Sequence, residues 1–457
     1  MAEIVHQRSS TSKLHIAVCA FPFGTHAPPL LNLTRRLATA TPHASFSFFT
    51  TAKSNASLFT STADTPDNFK AYDVGDGLPV GYQPSGNPME EIELFLHATP
   101  GNFKDSFEVA VANTGNITCV LSDAFLYFAA EMTEELGIPW VPFWTAGTAS
   151  ISIHFHTDLI RDTIGVLPNG FAGREDEQLG FIPGMESVRL QDLPEGVIFG
   201  PLESTFSRML HQMGKMLPRA AALIINSFEE LDPTIVKDLK SKLKKLLLVG
   251  PFALVTPPPS VPDETGCLSW LDGKKHCSVV YISFGTVTAP QATELAAVAE
   301  GLEASNAPYL WSLREQLHKQ LPRGFVERTK ERGVIVQWVP QTRILRHPAV
   351  AVFVTHCGWN SVSESIISGT PMICRPFFGD QRLNGRLVTD VWRIGIRVEG
   401  DMFTKDGLVK SLDLILSMNE GTEIRENGRR LKEMAEKAVG DEGRSTENFK
   451  AVLQSVV

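Results

Sequence analysis

The sequence predicts an α/β protein made of two doubly wound, parallel-sheet domains that face each other across a cleft. Three observations carry this expectation. Short apolar runs bounded by polar or glycine-containing turns recur along both halves, alternating with longer segments of helical spacing. The length, 457 residues, exceeds what one ordinary core accommodates. The stretch TPPPSVPDETG (256–266) interrupts the pattern at a point that leaves an αβ series on either side.

In the first half, LHIAVCAF (14–21), ASFSFFTT (44–51), ITCVLSDA (117–124) and AALIINSF (221–228) read as buried strands. In the second, CSVVYISF (277–284), GVIVQWVP (333–340), VAVFVTHC (350–357) and PMICRP (371–376) read the same way. ATELAAVAEGLEAS (292–305) and NGRRLKEMAEKAVG (427–440) carry helical spacing. Strands alternating with helices imply parallel sheets covered on both faces. Three consecutive prolines fit neither a helix interior nor a central strand, so 256–266 is an extended linker between domains at 1–255 and 267–426. In such sheets ligands sit beyond the C-terminal ends of the strands, which is where chemistry is to be sought.

Composition removes several function classes. Hydrophobic residues at 43% and charged ones at 20% describe a globular chain. A net charge of −9 argues against a nucleic-acid-binding surface. No run approaches the roughly 20 apolar residues of a membrane span. The start, MAEIVHQRSSTSK, lacks the apolar core of a signal peptide. Six scattered cysteines without a C-x-x-C pair suit reduced thiols, and the expected location is the cytoplasm.

Four polar clusters follow predicted strands. PFGTHAPPLLNL (22–33) sets His26 before a helix that Pro28 or Pro29 would open, at the positive end of its dipole. Asp123 closes the strand that begins near Ile117, and beside a His it would fix the ring tautomer. Taken singly, a lone His is more often structural, and a strand-end Asp is often only a helix cap. SFGT (283–286) offers Gly285 for close backbone approach to an anion, with the Ser283 and Thr286 hydroxyls; alone it is a weak signal. The fourth cluster runs from Trp338 to Gln381. THCGWNSVSES places His356, Asn360 and Ser361 at a strand-to-helix junction suited to a diphosphate. Glu364 lies further along that helix, within reach of ribose hydroxyls, and Trp338 offers a flat face to a base. Asp380 and Gln381 follow the next strand and suit sugar hydroxyls.

The 44-residue stretch WVPQTRILRHPAVAVFVTHCGWNSVSESIISGTPMICRPFFGDQ resembles the signature box of the plant secondary-metabolite UDP-glycosyltransferases. The likeness extends through FPFGTHAPPLLNL, SDAF, PFWTAG, NSFEEL, CLSWLD, VVYISFGTV and GRSTENF, so it covers essentially the whole chain. FPFGTH, PFWTAG and RPFFGDQRLNGR most resemble the flavonoid and anthocyanidin 3-O-glucosyltransferases.

The resemblance implies a GT-B fold, two facing Rossmann-like domains with the active site in the cleft, and a last helix (about 427–457) that packs back on the first domain. It implies that His26 is the general base and Asp123 its partner. The acceptor oxygen would attack in line, turning α-linked UDP-glucose into a β-glucoside. Trp338 would stack on uracil, with Val339 contacting it through the main chain where many relatives carry Ala. Gln341 and Glu364 would face the ribose; His356, Asn360, Ser361 and Thr286 the phosphates; Trp359, Asp380, Gln381 and Thr145 the glucose, with Ser283 a further donor-side candidate. Gln at position 381 is associated in the family with glucose and His with galactose. Phe21, Phe23, Gly24, Phe125, Trp144 and His154 are acceptor candidates, with Phe378 from the second domain. Each aromatic among them fits core packing equally well. His154 and His156 in IHFH have no accompanying carboxylate or cysteine cluster, so they read as structural or acceptor-facing. The chain has no D-x-D triplet, so no metal or other cofactor is expected beyond UDP-glucose as co-substrate. The remaining expectations are a flavonoid acceptor, no nucleic-acid partner and a monomer. Rival readings are the same family with galactose, rhamnose or another phenolic, hormone or terpenoid acceptor; a dinucleotide-dependent oxidoreductase, disfavoured by the absence of G-x-G-x-x-G after the first strand; and a non-catalytic binder.

Overall fold

The computed structural model describes residues 14–456 apart from 61–65, 84, 86, 257–262 and 418. Most of the expected linker therefore lies outside the described residues. The chain divides into two compact units. The first runs to Phe143 and includes Arg219–Ala222 and the residues from Ala451; the second comprises Trp144–Pro218 and Leu223–Lys450.

The first unit is organised by β1 (His15–Cys19), β2 (Ser45–Thr51), β3 (Phe69–Val74), β4 (Cys119–Asp123) and β5 (Trp140–Trp144), in the parallel order β3-β2-β1-β4-β5. Every residue of β1, β4 and β5 is buried, as befits strands covered on both faces. The helix Ala27–Ala40 opens with proline, whose fixed φ suits the first turn and whose missing N–H costs nothing there. Leu30, Leu31, Leu33 and Leu37 bury its inner face, each contributing roughly 1.5–3 kcal/mol.

In the second unit β6 (Leu223–Ile225) and β7 (Leu246–Leu248) pair in parallel. A separate sheet contains β8 (Val279–Ser283), β9 (Tyr309–Ser312), β10 (Gly333–Val336), β11 (Val350–Thr355), β12 (Met372–Cys374) and β13 (Gly395–Arg397). Its order is β10-β9-β8-β11-β12-β13, all parallel. Its core gathers Val280, Ile282, Trp311, Val352, Val354 and Ile373 with Leu295, Val298 and Leu302 from the helix Ala292–Ser305.

All eight strands read from the sequence are present. One differs in kind: β10, expected to be buried, is half-buried throughout, because it is the edge strand of its sheet. The helix expected at 427–440 spans Asn419–Ala438 and starts earlier because its first two turns are mostly polar and give no apolar period. Its Gly428 lies against Gly369, which ends the helix Trp359–Ser368 in a left-handed turn. All six cysteines are free thiols. Among the described residues no helix is long and apolar enough to cross a membrane.

Candidate active site

In the first unit β1 has β2 on one side and β4 on the other, so the loops leaving β1 and β4 run in opposite directions along the sheet from one point. Such a switch point is where doubly wound sheets hold ligands. The register pairs Cys19 with Ser122, so the chain leaves both strands at the same level. His26, at the N-cap position of its helix, and Asp123, the last residue of β4, meet there. His26 Nδ1 lies 2.8 Å from Asp123 Oδ2. The other carboxylate oxygen accepts the Phe125 N–H at 2.9 Å. Asp123 is 1% exposed, whereas the His26 side chain is 21% exposed. A buried acceptor holding one ring nitrogen fixes the tautomer with hydrogen on Nδ1 and leaves Nε2 basic.

Aromatic rings surround this pair. The Phe125 ring centroid is 4.4 Å from that of His26, and the Phe21 ring is 5.3 Å from it, edge-on. Phe21 also meets Phe125 at 5.2 Å and Phe23 at 5.3 Å. Phe21 and Phe125 are buried and Phe23 half-buried; Gly24 is exposed in the turn before His26. Phe95, absent from the expected set, completes the cluster from the helix Pro88–Ala98, 5.6 Å from Phe23 and 5.9 Å from Phe21. Its only sequence signal is the helical spacing of Met89, Ile92, Phe95 and Leu96, which does not distinguish a site wall from a core.

The second unit repeats the logic. β8 lies between β9 and β11, and Ser283 pairs with Thr355, so the loops 283–286 and 355–359 leave side by side. His356 is held between two glycines: a Cβ on Gly285 would stand 2.9 Å from its ring, and one on Gly358 2.5 Å from Nε2. Gly285 also has a positive φ of 74°, which a side chain would strain. Burial pushes His356 down to about 4, so it is neutral near pH 7, and its Nδ1 is buried without a partner among the described residues. A buried orphan of this kind calls for an explanation, and a ligand oxygen would satisfy it. Cys357 follows with φ +64°, its carbonyl accepting from the Asn384 amide at 3.0 Å. Gly358 then starts the helix Trp359–Ser368, directing its first N–H groups to the strand ends.

Gln341, Ser361 and Glu364 form one network. The Gln341 amide nitrogen donates to Glu364 at 2.7 Å and to Ser361 at 3.1 Å, while its oxygen accepts from Tyr281 at 2.8 Å. Thr342 donates to the other Glu364 oxygen at 2.9 Å. Burial nevertheless pushes the Glu364 carboxyl upward, against the Gln341 and Thr342 hydrogen bonds. Trp338 is 56% exposed beside an open depression of about 480 Å³ lined with Arg314, Glu315, Gln316 and Gln337; Val339 next to it is buried. Thr286 and Asn360 are accessible, and Ser283 and Thr145 are buried.

Gln381 opens the helix Gln381–Arg386, and its side-chain oxygen accepts from Phe377 N at 2.9 Å and Phe378 N at 3.4 Å. Asp380 accepts from Asn384 at 3.0 Å. Phe378 is exposed.

Two expected ligand residues prove to be occupied. The Trp359 indole N–H donates to the Asn226 carbonyl at 3.0 Å, and its ring fills a slot that a Cβ on Gly147 would enter to 2.7 Å. Its side chain therefore anchors the helix, and what it can offer a sugar is its main-chain N–H. Trp144 is buried, its N–H committed to Gly147 O at 3.0 Å and Ser150 at 3.2 Å, with His154 packed 5.8 Å away. Burial pushes His154 to about 4. His156 is structural, joined to Ser152 O at 2.8 Å and Lys242 Nζ at 2.8 Å. Among the described residues no cluster of three or more His, Cys, Asp or Glu side chains is placed to hold a metal.

The family model for UDP-glucoronosyl and UDP-glucosyl transferases matches residues 93–435. An anthocyanidin 3-O-glucosyltransferase of Vitis vinifera is 56% identical over 449 residues, with 98% of each chain covered. A flavonol 3-O-glucosyltransferase of Arabidopsis thaliana is 54% identical over 452 residues, again with 98% of each covered. Among solved structures, a UDP-glucose: anthocyanidin 3-O-glucosyltransferase in complex with UDP superposes with a TM-score of 0.91 at 45% identity, covering 97% of this chain and 99% of that one. The fold is thus GT-B, with its two Rossmann-like parallel sheets, and the chain belongs to the UDP-glucoronosyl and UDP-glucosyl transferase family.

Proposed function

We propose that the protein transfers glucose from UDP-glucose to the 3-hydroxyl of a flavonol or anthocyanidin, with inversion, giving a β-O-glucoside. The observation that carries the proposal is the 2.8 Å contact between His26 and buried Asp123, set among aromatic rings that suit a planar polyphenol. The names and activities of the relatives support the acceptor class. In this reading His26 Nε2 takes the acceptor's hydroxyl proton while the oxygen forms a bond to the anomeric carbon. The bond from that carbon to the diphosphate oxygen breaks, and UDP leaves. Asp123 stabilises the imidazolium so formed. The first N–H groups of the helix Trp359–Ser368, neutral His356 and the Thr286 hydroxyl would meet the diphosphate charge. Exposed Trp338 would stack on uracil, and the Gln341–Glu364 network would receive the ribose. Glucose as the sugar rests on Gln381 and Asp380. A base typically contributes about 10²–10⁴-fold, so alignment of the two substrates supplies much of the remainder.

The test is incubation with kaempferol or cyanidin and, separately, UDP-glucose, UDP-galactose and UDP-rhamnose. A 3-O-glucoside formed fastest from UDP-glucose is expected. Absence of any 3-O-glycoside would sink the acceptor assignment, and faster transfer from another donor would sink the sugar.

A further inference from the structure

The segment 379–386 carries Asp380 and Gln381, the residues assigned above to the sugar. It is gripped at both ends by one loop far away in sequence. At the far end Arg386 donates through Nε to Asp192 at 2.7 Å and through Nη2 at 3.4 Å. Asp192 is fully buried and also accepts from Arg397 at 2.8 Å and from Arg189 N at 3.1 Å. At the near end, directly before Asp380, the Gly379 N–H donates to Glu195 Oε2 at 3.2 Å. Gly379 has φ +60°, so the chain makes a left-handed turn there, and the Glu195 carboxylate holds its N–H. Arg382 approaches the other Glu195 oxygen to 3.8 Å.

The Asp192 contact belongs to a buried ionic cluster that pins the chain at Arg386. Glu195 differs. Its side chain is 39% exposed, and the group it binds is the peptide adjoining the two side chains assigned to the sugar. We infer that Glu195 is a positioning residue for the sugar half of the donor: by fixing the 378–380 turn it sets Asp380 and Gln381 against the hexose, without touching the nucleotide. The inference rests on the proposed donor reading. It assigns a role in sugar recognition to a loop outside the long box from Trp338 to Gln381. Through the Gly379 peptide, Glu195 would sharpen discrimination between epimers, because an epimer is rejected only where polar groups are held in place.

The experiment is calorimetric titration of the wild type, Glu195→Ala and Glu195→Gln with UDP and with UDP-glucose, no acceptor being present. Glu195→Ala should bind UDP as the wild type does and UDP-glucose about tenfold more weakly, the size of one lost charge-assisted hydrogen bond at a partly exposed position. Glu195→Gln, whose amide oxygen can still accept from Gly379, should recover most of that loss. Equal UDP-glucose affinity in wild type and Glu195→Ala would overturn the inference. So would a parallel loss of UDP and UDP-glucose, which would mark a general structural defect, and so would a Gln variant as weak as the Ala one. A wild type that binds UDP but not UDP-glucose would instead overturn the donor reading itself.

Discussion

Replacing Asp123 with Asn changes one atom and inverts the chemistry offered to His26. Asp123 now accepts twice, from His26 Nδ1 and from the Phe125 main-chain N–H. The Phe125 group can only donate, so the Asn oxygen must stay with it. The Asn NH₂ then faces His26, whose Nδ1 must accept, and the ring proton moves to Nε2. A ring protonated at Nε2 cannot take the acceptor's proton. Restoring the competent tautomer would set two donors against each other at a carboxylate site that is 1% exposed. Each unsatisfied buried donor costs about 1–3 kcal/mol, so the two together, about 2–6 kcal/mol, predict a rate loss between roughly 30-fold and a few times 10⁴-fold. The assay is the initial rate of glucoside formation at saturating UDP-glucose, with UDP affinity by calorimetry as the control. UDP binding should be unchanged, because Asp123 lies in the first unit and the donor residues in the second. A variant within tenfold of the wild-type rate, binding UDP normally, would refute the tautomer argument and with it the role of the pair.

Two further outcomes follow from packing and burial. Gly147→Ala drives a methyl to within 2.7 Å of the Trp359 ring, and such overpacking should cost about 1–3 kcal/mol, read as a lower urea midpoint; an unchanged midpoint would show that the indole moves freely. Because Trp359 begins the helix assigned to the diphosphate, weaker UDP binding should accompany it. For His154, burial lowers the ring from 6.5 to about 4, so an unfolded chain takes up a proton first as the pH falls. Its contribution is therefore intact above about 6.5 and is lost progressively toward 4, at about 1.4 kcal/mol per pH unit. Buried Asp232, pushed up to about 7, works in the opposite sense, so total stability does not isolate either group. The difference between wild type and His154→Gln does: by urea unfolding it should narrow by about 2 kcal/mol between pH 7 and pH 5, and a constant difference would contradict the buried neutral ring.

Much of the site is legible in the sequence because its parts are local. His356, Gly358, Asn360 and Ser361 are close neighbours in sequence, and the strand-to-helix junction that joins them is itself a sequence signal. His26 and Asp123 are 97 residues apart, yet each stands at a strand end, and the topology of parallel sheets brings such ends together. The contacts that could not be read depend on tertiary packing. Trp359 reaches the Asn226 carbonyl across 133 positions, and Arg386 reaches Asp192 across 194. Nothing in WNSVSES announces that its indole is spent on an anchor. Three of the strands left unread have local causes instead. β5, WVPFW, contains Pro142 opposite Ser122, and proline normally argues against a central strand. β7 and β13 are three residues long, too short to show any period. Phe95 looks like any helical core residue until the rings of Phe21 and Phe23 are found beside it.

The central claim is that a hydroxyl oxygen, freed of its proton by His26, displaces UDP from the opposite face of the glucose. The measurement that tests it most directly is the NMR structure of the product formed from kaempferol and UDP-glucose. Attachment at the 3-oxygen and the large axial–axial coupling of a β-anomeric proton are expected. An α-linked product, or glucose on a different oxygen, would contradict it.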